Sequence, residues 1–155
     1  MNKEKSSLLA EFAKKSLQRL ESKKRPRYRT LHIPSLDMDI KIRSIAMAEY
    51  LECHDIFKNS NDEDRGDKNC VYMAVVEPNL KDTAKEIMAQ EAGLPAEQKH
   101  ILEPLDIVNI FEPCEITEIA MHVMYLSGII GKQKITTVEE SKQKAAEKAV
   151  DALKN

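Results

Sequence analysis

The sequence has no tryptophan, only four glycines and only three cysteines. The glycines never cluster as G-x-G-x-x-G or G-x-x-x-x-G-K, so the chain carries neither phosphate-binding fingerprint. Cys53, Cys70 and Cys114 are far apart and form no Cys-x-x-Cys pair, which argues against a zinc site or a redox motif. We therefore expect three reduced thiols in a cytosolic protein that uses no metal and no cofactor.

Long apolar runs are also missing. No stretch approaches the roughly 18 apolar residues that a membrane-spanning helix requires. The first residues, Met1-Asn2-Lys3-Glu4-Lys5, lead into no apolar segment, so no signal peptide is expected. These absences predict a soluble, intracellular protein without a membrane partner.

The 155 residues are 42% apolar and 32% charged, which suits one globular domain with an aliphatic core. The charge is unevenly placed. Residues 1–29 hold ten Lys/Arg and three Asp/Glu, a net charge of +7, whereas residues 30–155 hold fourteen and twenty-three, a net charge of −9. A basic arm thus precedes an acidic body.

Hydrophobic spacing predicts secondary structure along most of the chain. Residues 6–20 have helical periodicity, and Pro26 disfavours helix in the linker predicted over 21–27. Residue types alternate in 28–33 and again in 39–43, which predicts a β-hairpin over 28–43. Helical segments dominate residues 44–131.

The helix predicted over 67–76 is less distinct, because its valines also suit a strand. Pro95 and Pro104 bracket a further helix predicted over 96–102. Thr137-Val138-Glu139-Glu140 matches a capping box and begins a charged helix over 137–153. The predicted class is α+β and predominantly helical, with one short antiparallel hairpin packed on a compact multi-helix body. Residues 1–27 form a loosely attached basic helix and linker, and residues 28–155 form a single globular domain.

No residue group suggests catalysis. Cys53, His54 and Asp55 are adjacent, but neighbours on a helix point about 100° apart and do not face one another. We therefore expect a protein that binds another protein and is not an enzyme.

The segment 115–129 is the most hydrophobic helix. Ile116, Ile119, Ala120 and Val123 repeat at helical spacing, and further apolar residues widen the surface almost all round. A helix that is apolar on all sides is either central or covered by a partner, and both interpretations remain open. Because methionine suits adaptable binding surfaces, we hypothesise a partner-binding surface formed by Met121, Met124, Tyr125 and Leu126.

The basic arm offers an alternative function, that of a small regulatory or nucleic-acid-binding module. Phosphate contacts suit lysine and arginine, and the candidates are Lys23, Lys24, Arg25, Arg27 and Arg29. The net charge of the body opposes general nucleic-acid affinity, so we favour this alternative less.

Several short segments then follow one another in a specific order. They are Leu31-His32-Ile33-Pro34-Ser35-Leu36, Ile40-Lys41-Ile42-Arg43, Val71-Tyr72, Glu77-Pro78-Asn79-Leu80, Leu105-Asp106-Ile107-Val108, Glu115-Ile116 and Leu126-Ser127-Gly128. In their order and spacing, over residues 28–131, they resemble the XkdN-like tail assembly chaperones of long-tailed phages and prophages.

The resemblance implies a binding function, because it includes no invariant catalytic motif. Such chaperones bind the tape measure protein and keep it soluble before the tail tube polymerises around it. It further implies action in the cytoplasm of the bacterial host and absence from the mature virion. Other tail assembly proteins and further copies of the chain are additional candidate partners.

Overall fold

The computed structural model describes residues 2–55, 65–131 and 135–154. In chain order the elements are α1 (Asn2–Lys23), β1 (Tyr28–Ile33), β2 (Met38–Arg43), α2 (Met47–Asp55), α3 (Arg65–Ala74), β3 (Val75–Glu77), α4 (Leu80–Gln90), two 3-10 segments (Ala96–Gln98 and Pro104–Ile110), α5 (Pro113–Leu126) and α6 (Val138–Lys154). The predicted class, a predominantly helical α+β protein, is confirmed.

The sheet has three antiparallel strands in the order β1-β2-β3. The predicted hairpin is present, with Tyr28 opposite Arg43 at one end and Ile33 opposite Met38 at the other. Its inward side chains, Ile33, Ile40 and Ile42, are at most 4% exposed and join the core.

The third strand corrects the helix predicted over 67–76. That helix ends at Ala74, and Val75 pairs with Ile42 on the free edge of β2. Two strands alone are barely stable, and β-branched residues suit a pleated, half-buried surface. Pairing with β2 therefore stabilises Val75 and Val76 more than one further helical turn would.

The core lies between the sheet, α3 and α5. α3 packs against both α2 and α5, and α4 packs against the 3-10 segment Pro104–Ile110. The largest fully buried side chains come from all of these layers: Ile42, Leu80, Ile107, Val71, Val108, Val123 and Cys70.

The helix predicted over 96–102 is wrong beyond its first residues, because only Ala96–Gln98 is helical. The Glu91 carboxylate, 7% exposed, accepts hydrogen bonds from the backbone N–H of His100 at 2.8 Å and from its ring Nδ1 at 2.9 Å. These bonds and that of the Ile101 amide hold the pKa of Glu91 below its usual range. The backbone at 100–101 is thereby held in a loop.

The terminal helices are exposed along their length. α1 is longer than predicted and continues through Lys23 into the expected linker, because Pro26 restricts only the residue before it. The linker ends at Arg27, whose main chain exchanges hydrogen bonds with Ser44, N to Oγ at 2.8 Å and O from N at 2.7 Å. At α6 the expected cap is present, with Thr137 Oγ1 accepting from the Glu140 amide at 3.2 Å.

Across the described ranges, no helix is both long enough and apolar enough to cross a membrane.

Candidate interaction surfaces

α5 is the helix around which the core is built. Pro113 occupies its first turn, and the Glu115 carboxylate accepts a hydrogen bond from the Glu112 amide at 2.8 Å, closing a capping box. Its inner face is buried and consists of the residues that repeat at helical spacing, Ile116, Ile119, Ala120 and Val123. That repeat is therefore the core-facing stripe.

The four residues hypothesised to bind a partner do not share one environment. Met121 is 41% exposed and Tyr125 is 42% exposed, and they lie one turn apart on the outside of α5. Met124 is half-buried between the two faces. Leu126 requires a correction, because it is only 8% exposed and continues the buried line of Ile119 and Val123. The α5 outer surface is therefore Met121, Met124 and Tyr125.

α1 carries a second apolar surface. Its large side chains are between 60% and 71% exposed, and α1 packs extensively against no other described element. We name this surface the α1 stripe; it comprises Leu8, Leu9, Phe12, Leu17 and Leu20. Its helical spacing is visible in the sequence, but spacing alone does not distinguish a docked helix from an uncovered one.

The basic residues proposed for phosphate contact lie at and after the end of α1. Lys23, Lys24, Arg25, Arg27 and Arg29 are all exposed. Lys24 lies 3.7 Å from a Glu21 carboxylate oxygen, an exposed ion pair of little energetic weight. The five cations thus follow one another closely along the chain, from the last residue of α1 through the linker to the start of β1.

Neither buried thiol is prepared for nucleophilic chemistry. Burial raises the pKa of Cys53, and burial with nearby Cys53 and Asp67 raises the pKa of Cys70 to about 12. Both thiols therefore stay protonated at neutral pH. His54 packs on the Tyr50 ring at 4.6 Å between centroids. Among the described residues, no group of three or more His, Cys, Asp and Glu side chains is arranged to hold a metal ion.

A shallow cleft of about 310 Å³ separates β1 from α5 and is lined by His32, His122, Glu115 and Glu118 among others. Glu115 is already engaged there, because Ser35 Oγ donates to its two carboxylate oxygens at 2.7 and 2.9 Å. That bond and the Glu112 amide hold the pKa of Glu115 below its usual range. The hydrogen bond between Ser35 and Glu115 therefore connects the hairpin turn to α5.

Comparison with protein-family models, with curated proteins and with solved structures finds no match for this chain.

Proposed function

We propose that this chain is an XkdN-like tail assembly chaperone of a phage or prophage. In this proposal it binds the tape measure protein and keeps it soluble until the tail tube polymerises around it. It acts in the cytoplasm of the host bacterium and is absent from the mature virion. The observation that carries the proposal is the pair of uncovered apolar surfaces on α1 and α5.

The physical demands of the task support the proposal. A client rich in long helices exposes apolar stripes before assembly, so its chaperone needs apolar surfaces of its own that adapt to many segments. Met121 and Met124 supply flexible, polarisable side chains for such contacts. Tyr125 adds a rigid ring with a polar tip, a residue type enriched at binding interfaces.

Co-expression tests the proposal. The tape measure protein of the same phage or prophage is expressed with and without the chain, and its soluble fraction is measured by sedimentation and quantitative blotting. We expect the wild-type chain to raise that fraction several-fold. A soluble fraction that is the same with and without the chain would overturn the proposed function.

A matched pair of variants localises the activity. Met121→Lys combined with Tyr125→Lys places charge on the α5 outer surface without opening the core, because both side chains are over 40% exposed. Ala89→Lys adds a charge at an exposed position of α4 and serves as the control. We expect the first variant to lose client protection and the control to keep it. Equal protection by both variants would remove α5 from the binding surface.

Nucleic-acid binding is the second candidate function, and one observation favours it. Five exposed cations, Lys23, Lys24, Arg25, Arg27 and Arg29, lie within seven residues of the chain. Contacts of this kind release counterions, so DNA retention would weaken steeply with salt. Retention that disappears when Lys23, Lys24 and Arg25 are changed to glutamine would support this function. Absence of retention at low salt would exclude it.

A further inference from the structure

The α1 stripe is the largest group of exposed apolar side chains on any one described element. Its five members are between 60% and 71% exposed, whereas α6 carries three large apolar side chains above 40%, and α2 and the α5 outer surface carry two each. Contiguous exposed apolar surface of this kind marks a binding site. The question is which partner covers it.

The charges of α1 are distributed unevenly around its axis. At about 100° per residue, Lys5, Arg19 and Lys23 lie on the same side as the stripe. The acidic residues of α1 all lie on the opposite side; they are Glu4, Glu11 and Glu21. On that far side Glu11 pairs with Lys15 at 3.2 Å. The stripe is therefore accompanied by positive charge, and carboxylates occur only outside its two edges, where Glu4 neighbours Leu8 and Glu21 neighbours Leu17.

We infer that the α1 stripe binds an amphipathic helix whose own apolar face is bordered by aspartate and glutamate. Apolar faces of two helices pack through anchors spaced by three and four residues, as in helix-in-groove recognition. Carboxylates at the borders of the partner then meet Lys5, Arg19 and Lys23, which selects the partner and its orientation. The assignment of this helix to the tape measure protein rests on the proposed function. The inferred chemistry of the partner's surface does not depend on that function.

Two other occupants fit the charges less well. Pairing α1 with α1 of a second copy brings two positively charged faces together, and like charges in an interface oppose association. The helix α6 of the same chain also has an exposed apolar face, formed by Val138, Ala145, Ala146, Ala149, Val150 and Leu153. Lys142 lies in the middle of that face, so docking it on the α1 stripe would place a positive charge against the positive charges beside the stripe.

Two synthetic helical peptides test the inference with the full-length chain. They share one leucine stripe, but one is bordered by glutamate and the other by lysine, and fluorescence anisotropy measures their affinities. We expect the glutamate-bordered peptide to bind at least about tenfold more tightly. Raising NaCl from about 0.05 to about 0.5 M should reduce this preference, because exposed charges are screened.

Two matched variants place the binding on the stripe. Phe12→Glu puts a carboxylate into the stripe, and Gln18→Glu puts the same group on the opposite side of α1. We expect Phe12→Glu to weaken peptide binding by at least about tenfold and Gln18→Glu by less than about twofold, because only the first change lies in the contact. Circular dichroism of both variants checks that they keep their helix content.

Several results would overturn the inference. These are equal affinity for the two peptides, no loss with Phe12→Glu, or no binding of the glutamate-bordered peptide. Binding to phosphatidylglycerol vesicles in place of that peptide would identify a membrane surface as the occupant. A dimer in sedimentation that Phe12→Glu dissociates would identify a second copy.

The client assay separates this inference from the proposed function. If wild type and Phe12→Glu protect the tape measure protein equally, the assignment of the bound helix to that client fails and the proposed function stands. If the chain binds the glutamate-bordered peptide but never protects that client, the proposed function fails and the inference about the partner's chemistry stands.

Discussion

Replacing Leu80 or Leu17 with alanine removes the same atoms from two opposite environments. Leu80 begins α4 and is 1% exposed, whereas Leu17 lies in the α1 stripe and is 71% exposed. A buried Leu→Ala change costs about 2–5 kcal/mol, because it loses transfer free energy and leaves a cavity. The Leu17→Ala change should alter the free energy of unfolding by less than about 0.5 kcal/mol, as exposed substitutions do.

Urea unfolding and calorimetry measure the difference. For a chain of this size, each kcal/mol moves Tm by about 2–4 °C, so Leu80→Ala should lower Tm by about 4–20 °C. Leu17→Ala should leave both Tm and the urea midpoint nearly unchanged. A loss above about 1 kcal/mol for Leu17→Ala would contradict this expectation, because it would mean that α1 packs against the body.

Three further predictions follow from local contacts. A Cβ at Gly66 would clash with the His54 ring, so Gly66→Ala should lower Tm despite its gain in helix propensity, and adding His54→Ala should restore it. A higher Tm for Gly66→Ala alone would contradict this. A thiol reagent should modify the exposed Cys114 quickly and the buried Cys70 only on unfolding, and fast modification of Cys70 in the native protein would be the contrary result. Hydrogen bonds from Arg43 and from the Ala46 amide hold the pKa of Glu49 below its usual range. The stabilisation by Glu49 is therefore present above the pKa of the unfolded state and is lost as pH falls through the lower folded pKa. Glu49→Gln should therefore lower the urea midpoint at pH 7 but have little effect near pH 2, and an equal loss at both pH values would contradict the sign.

Local patterns were sufficient for some elements of the fold. Strict alternation across 28–33 and 39–43 predicts the hairpin, because only one face of each strand can reach the core. The capping box at Thr137 predicts the start of α6, since the cap depends on residues three positions apart. Both features need no knowledge of distant neighbours.

Other features depend on tertiary contacts that spacing does not reveal. β3 is three residues long, and Val75 pairs with a strand more than thirty residues earlier in the chain. The Glu91 carboxylate likewise holds His100 in a loop, because it accepts a hydrogen bond from the backbone N–H of that residue. Residues 96–102 therefore satisfy a helical pattern without forming that helix beyond its first turn.

The candidate surface shows the same limit. Because α5 is apolar almost all round, the sequence cannot distinguish its inner from its outer face, and Leu126 lies in the core while Met121 and Tyr125 lie outside. The α1 stripe has the reverse difficulty. Its amphipathic spacing resembles that of a docked helix. Only the tertiary structure shows that no other described element covers it extensively.

The central claim, that this chain binds the tape measure protein, is tested most directly by affinity capture during prophage induction. The tagged chain is captured from the bacterium that encodes it, and the retained proteins are identified by mass spectrometry. We expect recovery of a very long, helix-rich tail protein with the wild-type chain and its loss with Met121→Lys combined with Tyr125→Lys. Recovery of nucleic acid or of a transcription component, with no tail protein, would contradict it.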